Sequence, residues 1–246
     1  MKLSFVIPAH NEAKNIGLCL QSIINEAKKD GCSDQIEIIV VNNASTDDTK
    51  SIASQYSQVR VVDEQRKGLT YARECGFQVT TGELIANVDA DNQLTSGWFA
   101  TVFTEFTNDK NLVALSGPPL YRDLPVWQRG LIQIFFCLTY AIYFITSRVL
   151  KVGSVVQGGN FVVRRSALQT IGGFDTTIKF YGEDTDIARR LFKVGKVKYT
   201  FALPIYSSGR RLAAEGIFTI AWRYSLNYLW TIFSKKPLTD DYLDIR

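Results

Sequence analysis

The sequence contains one histidine, His10, in 246 residues, and four scattered cysteines, Cys19, Cys32, Cys75 and Cys137. With no C-x-x-C pair and no metal-type spacing, the cysteines offer no thiolate metal centre. Reduced, structural thiols in the cytosol are expected, with Cys19 and Cys137 in apolar helical contexts. No G-x-G-x-x-G run follows the first strand, which argues against a dinucleotide site, and the lack of G-x-x-x-x-G-K-[ST] excludes a P-loop. A signal peptide is not expected, because Met1-Lys2 runs straight into a strand. Excess charge is lacking too: a net charge of +4 with no basic, aromatic-interleaved motif gives no case for nucleic acid. The most telling absence is local. No acid occurs between Asp123 and Asp175, while Arg129, Arg148, Lys151, Arg164 and Arg165 fall there, so this segment could face anionic lipid or an anionic substrate.

What is present is a core-forming composition, 46% hydrophobic, enough for one large α/β domain or two small ones. Leu3 to Ile7 reads as a strand closed by Pro8, with Asn11 capping a helix from about Glu12 to Lys29. Ile16, Leu20, Ile23, Ile24 and Ala27 give that helix one apolar face. Ile36 to Val41 is a continuous β-branched run, as in a parallel sheet covered on both sides. Ser45-Thr46-Asp47-Asp48 resembles a capping box that opens a second helix. A third strand over Val59 to Val62, a helix over Leu69 to Val79 and a buried strand over Gly82 to Ala86 complete four strand–helix alternations. That pattern predicts a doubly wound sheet with a nucleotide-type crevice.

Just past the last of these strands come Asp89 and Asp91, where ligands bind in open α/β sheets. Two close carboxylates repel, so at neutral pH they need a cation or a shared proton. A hard divalent cation bridging carboxylate and phosphate oxygens suits the Asp-x-Asp spacing. A strand-end turn with solvated aspartates, or a helix cap before Leu94 to Phe106, would use the same residues. Around this pair lie Pro8-Ala9-His10-Asn11-Glu12, Asn42-Asn43-Ala44-Ser45-Thr46-Asp47-Asp48-Thr49, Lys67-Gly68 and Ala72-Arg73. Later come Gly158-Gly159-Asn160-Phe161, Gly172-Gly173-Phe174-Asp175 and Gly182-Glu183-Asp184-Thr185-Asp186. In this order, over roughly residues 3 to 211, the motifs resemble those of the inverting family 2 glycosyltransferases. The resemblance implies a GT-A fold: a mixed, mostly parallel sheet with helices on both faces. It further implies transfer of a sugar from a nucleotide-diphosphate sugar to an acceptor, assisted by Mg²⁺ or Mn²⁺.

By that resemblance Asp91 is the metal ligand, and Asp89 holds the ribose or a metal-bound water. Pro8, Ala9, Asn11 and Glu12 form the nucleotide loop, with His10 a loop residue beside the nucleotide rather than a catalytic group. Asn42 stands where the family usually has a base-reading aspartate, a departure that bears on which base is bound; UDP remains the default nucleotide, with GDP close behind. Lys67, Gly68 and Arg73 fall near the expected phosphates; a solvated charge is the plainer use of either cation. Gly158, Gly159, Asn160 and Glu183 would line the pocket for donor sugar and acceptor. Asp184 is the expected general base, since inversion needs a carboxylate to take the acceptor proton. It opens a helix carrying Ile187, Leu191 and Val194, and a helix N-terminus favours an ionised aspartate; simple capping is the plainer use of the same residues. Many relatives carry a late histidine near the metal. Here that stretch reads Tyr206-Ser207-Ser208-Gly209-Arg210-Arg211, and Arg210 or Arg211 is expected to clamp the diphosphate or bind lipid head groups.

Two apolar stretches suggest a membrane. Leu131 to Ser147, between Arg129 and Arg148, is at the short limit for a bilayer span. It lies between Asp89/Asp91 and Glu183/Asp184, which must share one site, so a single crossing is excluded. The segment lies in the interface, re-enters, or packs inside protein. Gly216 to Phe233 places Phe218, Trp222, Leu226, Leu229, Trp230 and Phe233 on one face and Arg223, Asn227 and Thr231 opposite, ahead of Lys235-Lys236 and Pro237. It reads as an in-plane membrane helix or as one packing on the sheet or in a dimer. The expected organisation is a catalytic domain over 1–212, with an apolar helical insertion at about 128–151, and a helix and tail over 213–246. The expected setting is the cytoplasmic face of a membrane, or else the cytoplasm, with a lipid-linked or saccharide acceptor. A sugar-nucleotide pyrophosphorylase would want a glycine- and lysine-rich loop after the first strand. A non-catalytic nucleotide-binding or scaffold relative is disfavoured by the intact Asp89, Asp91 and Asp184.

Overall fold

The computed structural model describes residues 1–151, 153–178 and 181–234. The expected roles of Lys235, Lys236 and Pro237, and the side chains of Leu229, Thr231 and Phe233, lie outside what it describes.

The chain begins with β1 (Leu3–Ala9), then α1 (Ile16–Lys29), β2 (Ile36–Asn43), the short α2 (Thr49–Ala53), β3 (Val59–Glu64), α3 (Leu69–Val79) and β4 (Leu84–Val88). It continues through β5 (Gln93–Leu94), α4 (Trp98–Asn108), β6 (Leu112–Ser116), β7 (Pro119–Tyr121) and the long α5 (Val126–Phe144), which ends in a wider π-type turn at Ile145–Val149. The last part holds β8 (Asn160–Arg164), α6 (Arg165–Thr170), α7 (Glu183–Phe192), β9 (Lys196–Tyr199), β10 (Ile205–Ser207), α8 (Arg210–Glu215) and α9 (Ile217–Ser234). Seven strands form one sheet in the order β3-β2-β1-β4-β8-β6-β9, and β5, β10 and β7 form a second, small sheet. The large sheet is parallel except for β8, which runs antiparallel to both β4 and β6. The expected mixed, mostly parallel sheet is therefore observed.

The period of two along each strand builds two cores. Leu3, Phe5 and Ile7, with Ile38, Val40, Leu84, Ala86 and Val88, face α1 and α4. Val6, Ile39, Val41 and Ile85 face the opposite side, toward α3 and α7. The first core is sealed by Phe5, Trp98 and Phe99, whose ring centroids lie 5.4–5.7 Å apart in tilted and edge-on pairs. Every residue of α1 expected on its apolar face is buried there.

Several local expectations fail for identifiable reasons. Asn11 does not cap α1, which starts at Ile16; Asn11 sits at φ +53 and its Oδ1 accepts the Thr46 N–H at 2.8 Å, tying two loops together. The Ser45–Asp48 capping box does not form. Asp47 does the work instead, its Oδ1 accepting the Thr49 N–H at 3.0 Å and its Oδ2 the Ala13 N–H at 3.1 Å. Pro8 does not end β1: the pairing with β2 runs on to Ala9↔Asn42, whereas the pairing with β4 stops at Val6↔Asn87, leaving the Pro8 side without a ladder partner. Asp89 does not cap a helix, because α4 begins only at Trp98.

Candidate active site

The carboxyl ends of β1, β2 and β4 open onto a cavity of about 190 Å³. Pro8, Ala9, His10 and Glu12 line it from the β1 loop, and Lys67, Gly68, Leu69 and Ala72 from the start of α3. Asp89 and Asp91 come from the end of β4, and Ser207, Ser208, Arg210 and Arg211 from the β10–α8 turn. The position of Arg210 is the most informative. Its guanidinium pairs with Glu12 and reaches Asp91 Oδ2 at 3.1 Å, so a cation sits on two carboxylates that are 3% and 15% exposed. Burial pushes the Asp91 carboxyl up to about 7, Arg210 pulls it down, and Asp89 and Glu12 add to the upward push. A site this anionic favours cations, and Arg210 itself is held charged by Glu12 and Asp91 against its burial. Arg211 is directed elsewhere, donating to Glu215 Oε1 at 3.0 Å.

A second, larger cavity of about 560 Å³ adjoins the first, and Leu69, Asp89 and Gln157 line both. Its polar end holds Arg73, Gly158, Gly159, Glu183 and Asp184; the rest is walled by Phe135, Leu138, Ile142, Val156, Phe218 and Trp222 from α5, α9 and the chain before β8. At the junction sits Arg73, fully buried. Nη2 donates to Asp89 Oδ1 at 3.1 Å and to the Gly158 carbonyl at 2.7 Å, while Nη1 pairs with Glu183 Oε1 at 2.5 Å. Arg73 is thus not available to a phosphate as its place in the motif implied; it joins the two cavities. The two glycines allow this closeness. A Cβ on Gly158 would come within 2.6 Å of Glu183 Oε1, and one on Gly159 within 2.5 Å of Asp89 Oδ2.

Glu183 and Asp184 open α7 after Gly182, which takes the left-handed conformation at φ +80. Asp184 Oδ1 accepts the Thr185 N–H at 2.7 Å. The helix start does not decide its protonation, contrary to the expectation above. Burial raises the Asp184 carboxyl, and the Thr185 N–H and Arg73 offset this only in part. Glu183, whose Oε2 is buried without a hydrogen-bond partner, is pushed up to about 7 by burial, with Arg73 pulling the other way. On the core face of α7 Ile187 and Leu191 are buried, but Val194 lies beyond the helix and is 39% exposed.

Three expected site residues, Asn42, Asn160 and Asn11, stand apart from both cavities. Asn42 turns toward β3, donating from Nδ2 to Asp63 Oδ1 at 2.8 Å, and its neighbour Asn43 lines the smaller cavity instead. Strand alternation sends the two side chains to opposite faces, and the motif alone does not say which one faces the ligand. Asn160 is a structural brace: fully buried, it accepts from Trp98 Nε1 at 3.2 Å and donates to the Leu203 carbonyl at 2.7 Å. Asn11, held by Thr46, does not line the cavity either. Tyr121 and Gln157, which the sequence did not single out, do line it. They arrive through β7 and the turn before β8, and no local motif marks either.

The helices flanking the larger cavity turn apolar surface outward. Of the α5 side chains only Ile132 and Tyr143 are buried, while Ile134 and Leu138 are each 60% exposed, so most of the segment is not packed inside protein. Val126–Val149, with mean hydropathy 1.6 and 22% buried, is long and apolar enough to cross a membrane, which on its own is weak evidence. On α9 the polar stripe faces inward. Arg223 donates to Tyr181 Oη at 2.9 Å and to Glu215 Oε2 at 2.5 Å, and Asn227 is buried, while Phe218 and Trp222 are 78% and 68% exposed. The boundary expected at residue 212 falls inside α8. None of the four cysteines is in a disulfide; Cys19 and Cys32 are buried and Cys137 is exposed.

This fold and paired site define a nucleotide-sugar-transferase-like α/β protein, and comparison makes the family explicit. The chain belongs to glycosyl transferase family 2, whose family model matches residues 4–172. YdaM of Bacillus subtilis, described as a probable glycosyltransferase, is 28% identical over 206 residues, 79% of this chain and 47% of its own. The chain spans about half the length, or less, of the curated relatives it matches. Among solved structures, Staphylococcus aureus TarS 1–349 superimposes with a TM-score of 0.67 at 17% identity, covering 96% of this chain and 73% of that one. The mannosyltransferase PcManGT of Pyrobaculum calidifontis, solved with GDP-Man and Mn²⁺, does so with a TM-score of 0.67 at 22% identity, covering 95% and 63%. These likenesses establish the GT-A fold.

Proposed function

We propose that the chain is an inverting glycosyltransferase. It transfers a sugar from UDP- or GDP-linked donor to a hydroxyl or phosphate of a membrane- or lipid-linked, or saccharide, acceptor, within cell-envelope polysaccharide or glycolipid synthesis. The observation that carries this reading is the direct junction of two cavities. A small polar one holds Asp89, Asp91, Lys67 and Arg210, and a larger one holds Asp184, with Arg73 bonded into both. Family membership and the nucleotide-bound structures of proteins with this fold, with UDP-GlcNAc, UDP or GDP-Man, support the donor class.

In this reading the nucleotide lies along Pro8, Ala9, Asn43 and Gly68, and its diphosphate faces Lys67 and Arg210. Among the described residues no group of three or more His, Cys, Asp or Glu side chains is arranged to hold a metal, so a Mg²⁺ or Mn²⁺ ion would be held by Asp91 and Asp89 together with the donor itself. When bound, the ion neutralises charge developing on the departing diphosphate. Asp184 accepts the proton of the acceptor hydroxyl as that oxygen attacks from the face opposite the leaving group. Its raised affinity for protons suits this role, because a general base works best with a pKa drawn toward the working pH. Arg73 holds Asp89 and Glu183 in place, and Gly158 and Gly159 let those two carboxylates pack against the backbone that lines the sugar pocket.

The outward apolar faces of α5 and α9, beside Arg129, Arg148 and Lys151, support attachment to the cytoplasmic face of a membrane, with a cytoplasmic enzyme as the alternative. A single crossing remains excluded in this reading, since β7 and β8 on either side of α5 belong to one folded body.

The test is a thermal-shift panel of UDP, GDP, CDP and their common sugar conjugates, with and without Mn²⁺ or Mg²⁺, on wild type and Asp91→Asn. A ligand bound only by the folded state stabilises by about 2.7 kcal/mol at a hundredfold excess over Kd. A metal-dependent shift with one nucleotide, lost in Asp91→Asn, supports the reading. Absence of any shift in folded protein sinks it.

A further inference from the structure

We infer that the larger cavity is an acceptor subsite for an uncharged, hydroxyl-headed lipid, its head at Asp184 and its aliphatic tail between α5 and α9. The inference rests on the glycosyltransferase reading and narrows its acceptor.

Shape comes first. The cavity holds about 560 Å³, more than a sugar ring needs; its charged groups are Arg73, Asp89, Glu183 and Asp184, and the α5 and α9 walls are apolar apart from Thr139, Ser225 and Asn227. From Asp184 it runs past Val155 and Val156 to a gallery formed by Phe135, Phe136, Leu138 and Ile142 of α5 and by Phe218, Ala221 and Trp222 of α9. A wholly water-soluble saccharide would leave this wall wet. An alkyl or isoprenoid chain would dry it. Several wall residues, Leu138, Ile142, Phe218 and Trp222, also belong to the exposed apolar surface, so the gallery and the outer faces of the two helices form one continuous apolar zone. A chain could enter from a lipid surface without crossing water.

Charge then selects the head. The polar end carries three carboxylates, Asp89, Glu183 and Asp184, against the single guanidinium of Arg73. That guanidinium is already engaged by Asp89, Glu183 and the Gly158 carbonyl. The remaining cations of the two cavities, Lys67, Arg210 and Arg211, line the other one. A phosphate head would therefore face like charge, whereas a hydroxyl finds an acceptor oxygen. The chemistry agrees. A phosphate acceptor is already ionised and needs no base, while a hydroxyl needs the carboxylate that Asp184 offers. The balance is then simple: the hydroxyl oxygen forms the new glycosidic bond, its proton goes to Asp184, and the diphosphate leaves with the electron pair of the old bond.

The experiment measures binding to the full chain by tryptophan fluorescence. It uses octyl, decyl and dodecyl glucosides, and monoalkyl phosphates of the same lengths, each below its aggregation concentration. The nucleotide thermal shift is run beside it. Each buried methylene adds about 0.8 kcal/mol, roughly fourfold in affinity, so two methylenes give about 15-fold. Glucoside affinity is expected to climb at about that rate, and phosphates of equal length to bind several-fold more weakly. Thr139→Trp and Ala221→Trp fill the gallery from opposite walls and are expected to abolish the gain with chain length while the nucleotide shift survives. A flat chain-length dependence, or a full gain in both variants, overturns the tail assignment. Tighter binding of phosphates at every length overturns the head assignment. Loss of the nucleotide shift in wild type would instead count against the glycosyltransferase reading, leaving the chain-length result to judge the lipid site by itself.

Discussion

Removing Arg73 tests how the two cavities are held together. Arg73→Met keeps the length of the side chain and deletes the charge. The guanidinium is fully buried and Glu183 is 7% exposed, whereas the Asp89 side chain is 39% exposed and can turn to water. The cost therefore falls chiefly on Glu183, a buried carboxyl losing its counter-charge. Breaking a buried pair from one side costs about 3–5 kcal/mol, a large part of the 5–15 kcal/mol typical of a folded domain. At roughly 2–4 °C per kcal/mol for a protein of this size, Tm should fall by about 10 °C. The pH dependence sharpens the test. The Glu183 carboxyl already sits at about 7, because burial outweighs Arg73, and without Arg73 it moves higher. Above pH 7 the folded variant then holds a proton that the unfolded chain has released, so its stability falls with rising pH by about 1.4 kcal/mol per unit relative to wild type. Below pH 7 the carboxyl is protonated in both folded proteins and the difference stops growing. The assay is urea unfolding at pH 6, 7 and 8 for wild type, Arg73→Met, Glu183→Gln and the double variant. A cost below 1 kcal/mol, an equal cost at pH 6 and 8, or strict additivity in the double variant would refute the reasoning.

Other predictions concern the chemistry itself. Asp184→Asn should cut transfer by about 10²- to 10⁴-fold, the range of a lost general base, while the nucleotide thermal shift is unchanged; loss of both together would make Asp184 structural. In wild type the acid limb of kcat/KM should lie above the usual aspartate range, because the folded carboxyl is raised and must shed its proton before it can act; a limb at or below that range would point to another base. Arg210→Ala strips the cation from Glu12 and Asp91 and should cost about 3 kcal/mol without metal. Mn²⁺ should then stabilise the variant more than it does wild type, and equal stabilisation would mean that Arg210 and the ion do not share the same charges. Ile134→Ser on the outer face of α5 should reduce co-sedimentation with anionic vesicles several-fold and leave the nucleotide shift alone.

Much of this was legible in the residues. The continuous burial of β1, β2 and β4 follows from their unbroken apolar runs, and the apolar face of α1 from its periodicity; the bounds of α3 also fall where expected. The motif residues at the strand ends mostly arrive where the sequence put them: Pro8, Ala9, Glu12, Lys67, Gly68, Asp89, Asp91, Arg210 and Arg211 line one cavity. The misses are of one kind. Asn42 against Asn43 is a question of which face a side chain takes at the last turn of a strand, and one residue of register reverses it. Arg73 reads as a phosphate cation because a sequence shows charge and not burial. Asn160 reads as a sugar contact because its motif lies beside Gly158 and Gly159, yet its side chain points back to Trp98. The α9 helix has the amphipathic period expected of a surface helix. Which face meets the protein is decided by Tyr181, a distant partner for Arg223 that no local pattern announces, together with Glu215.

The antiparallel strand β8 has a further consequence. Because it re-enters beside β4, the excursion that begins after Asp89 returns to within hydrogen-bond reach of its origin, with the Asp89 N–H at 3.4 Å and Asn92 Nδ2 at 2.7 Å from the Gly159 carbonyl. The base of the excursion is pinned there, so α5 hangs from the body like an interchangeable attachment. Changes on its outer face leave the contacts of the Gly159 carbonyl with Asp89 and Asn92 untouched. A scaffold built this way can acquire a new acceptor environment by exchanging one helix while its transfer chemistry stays in place.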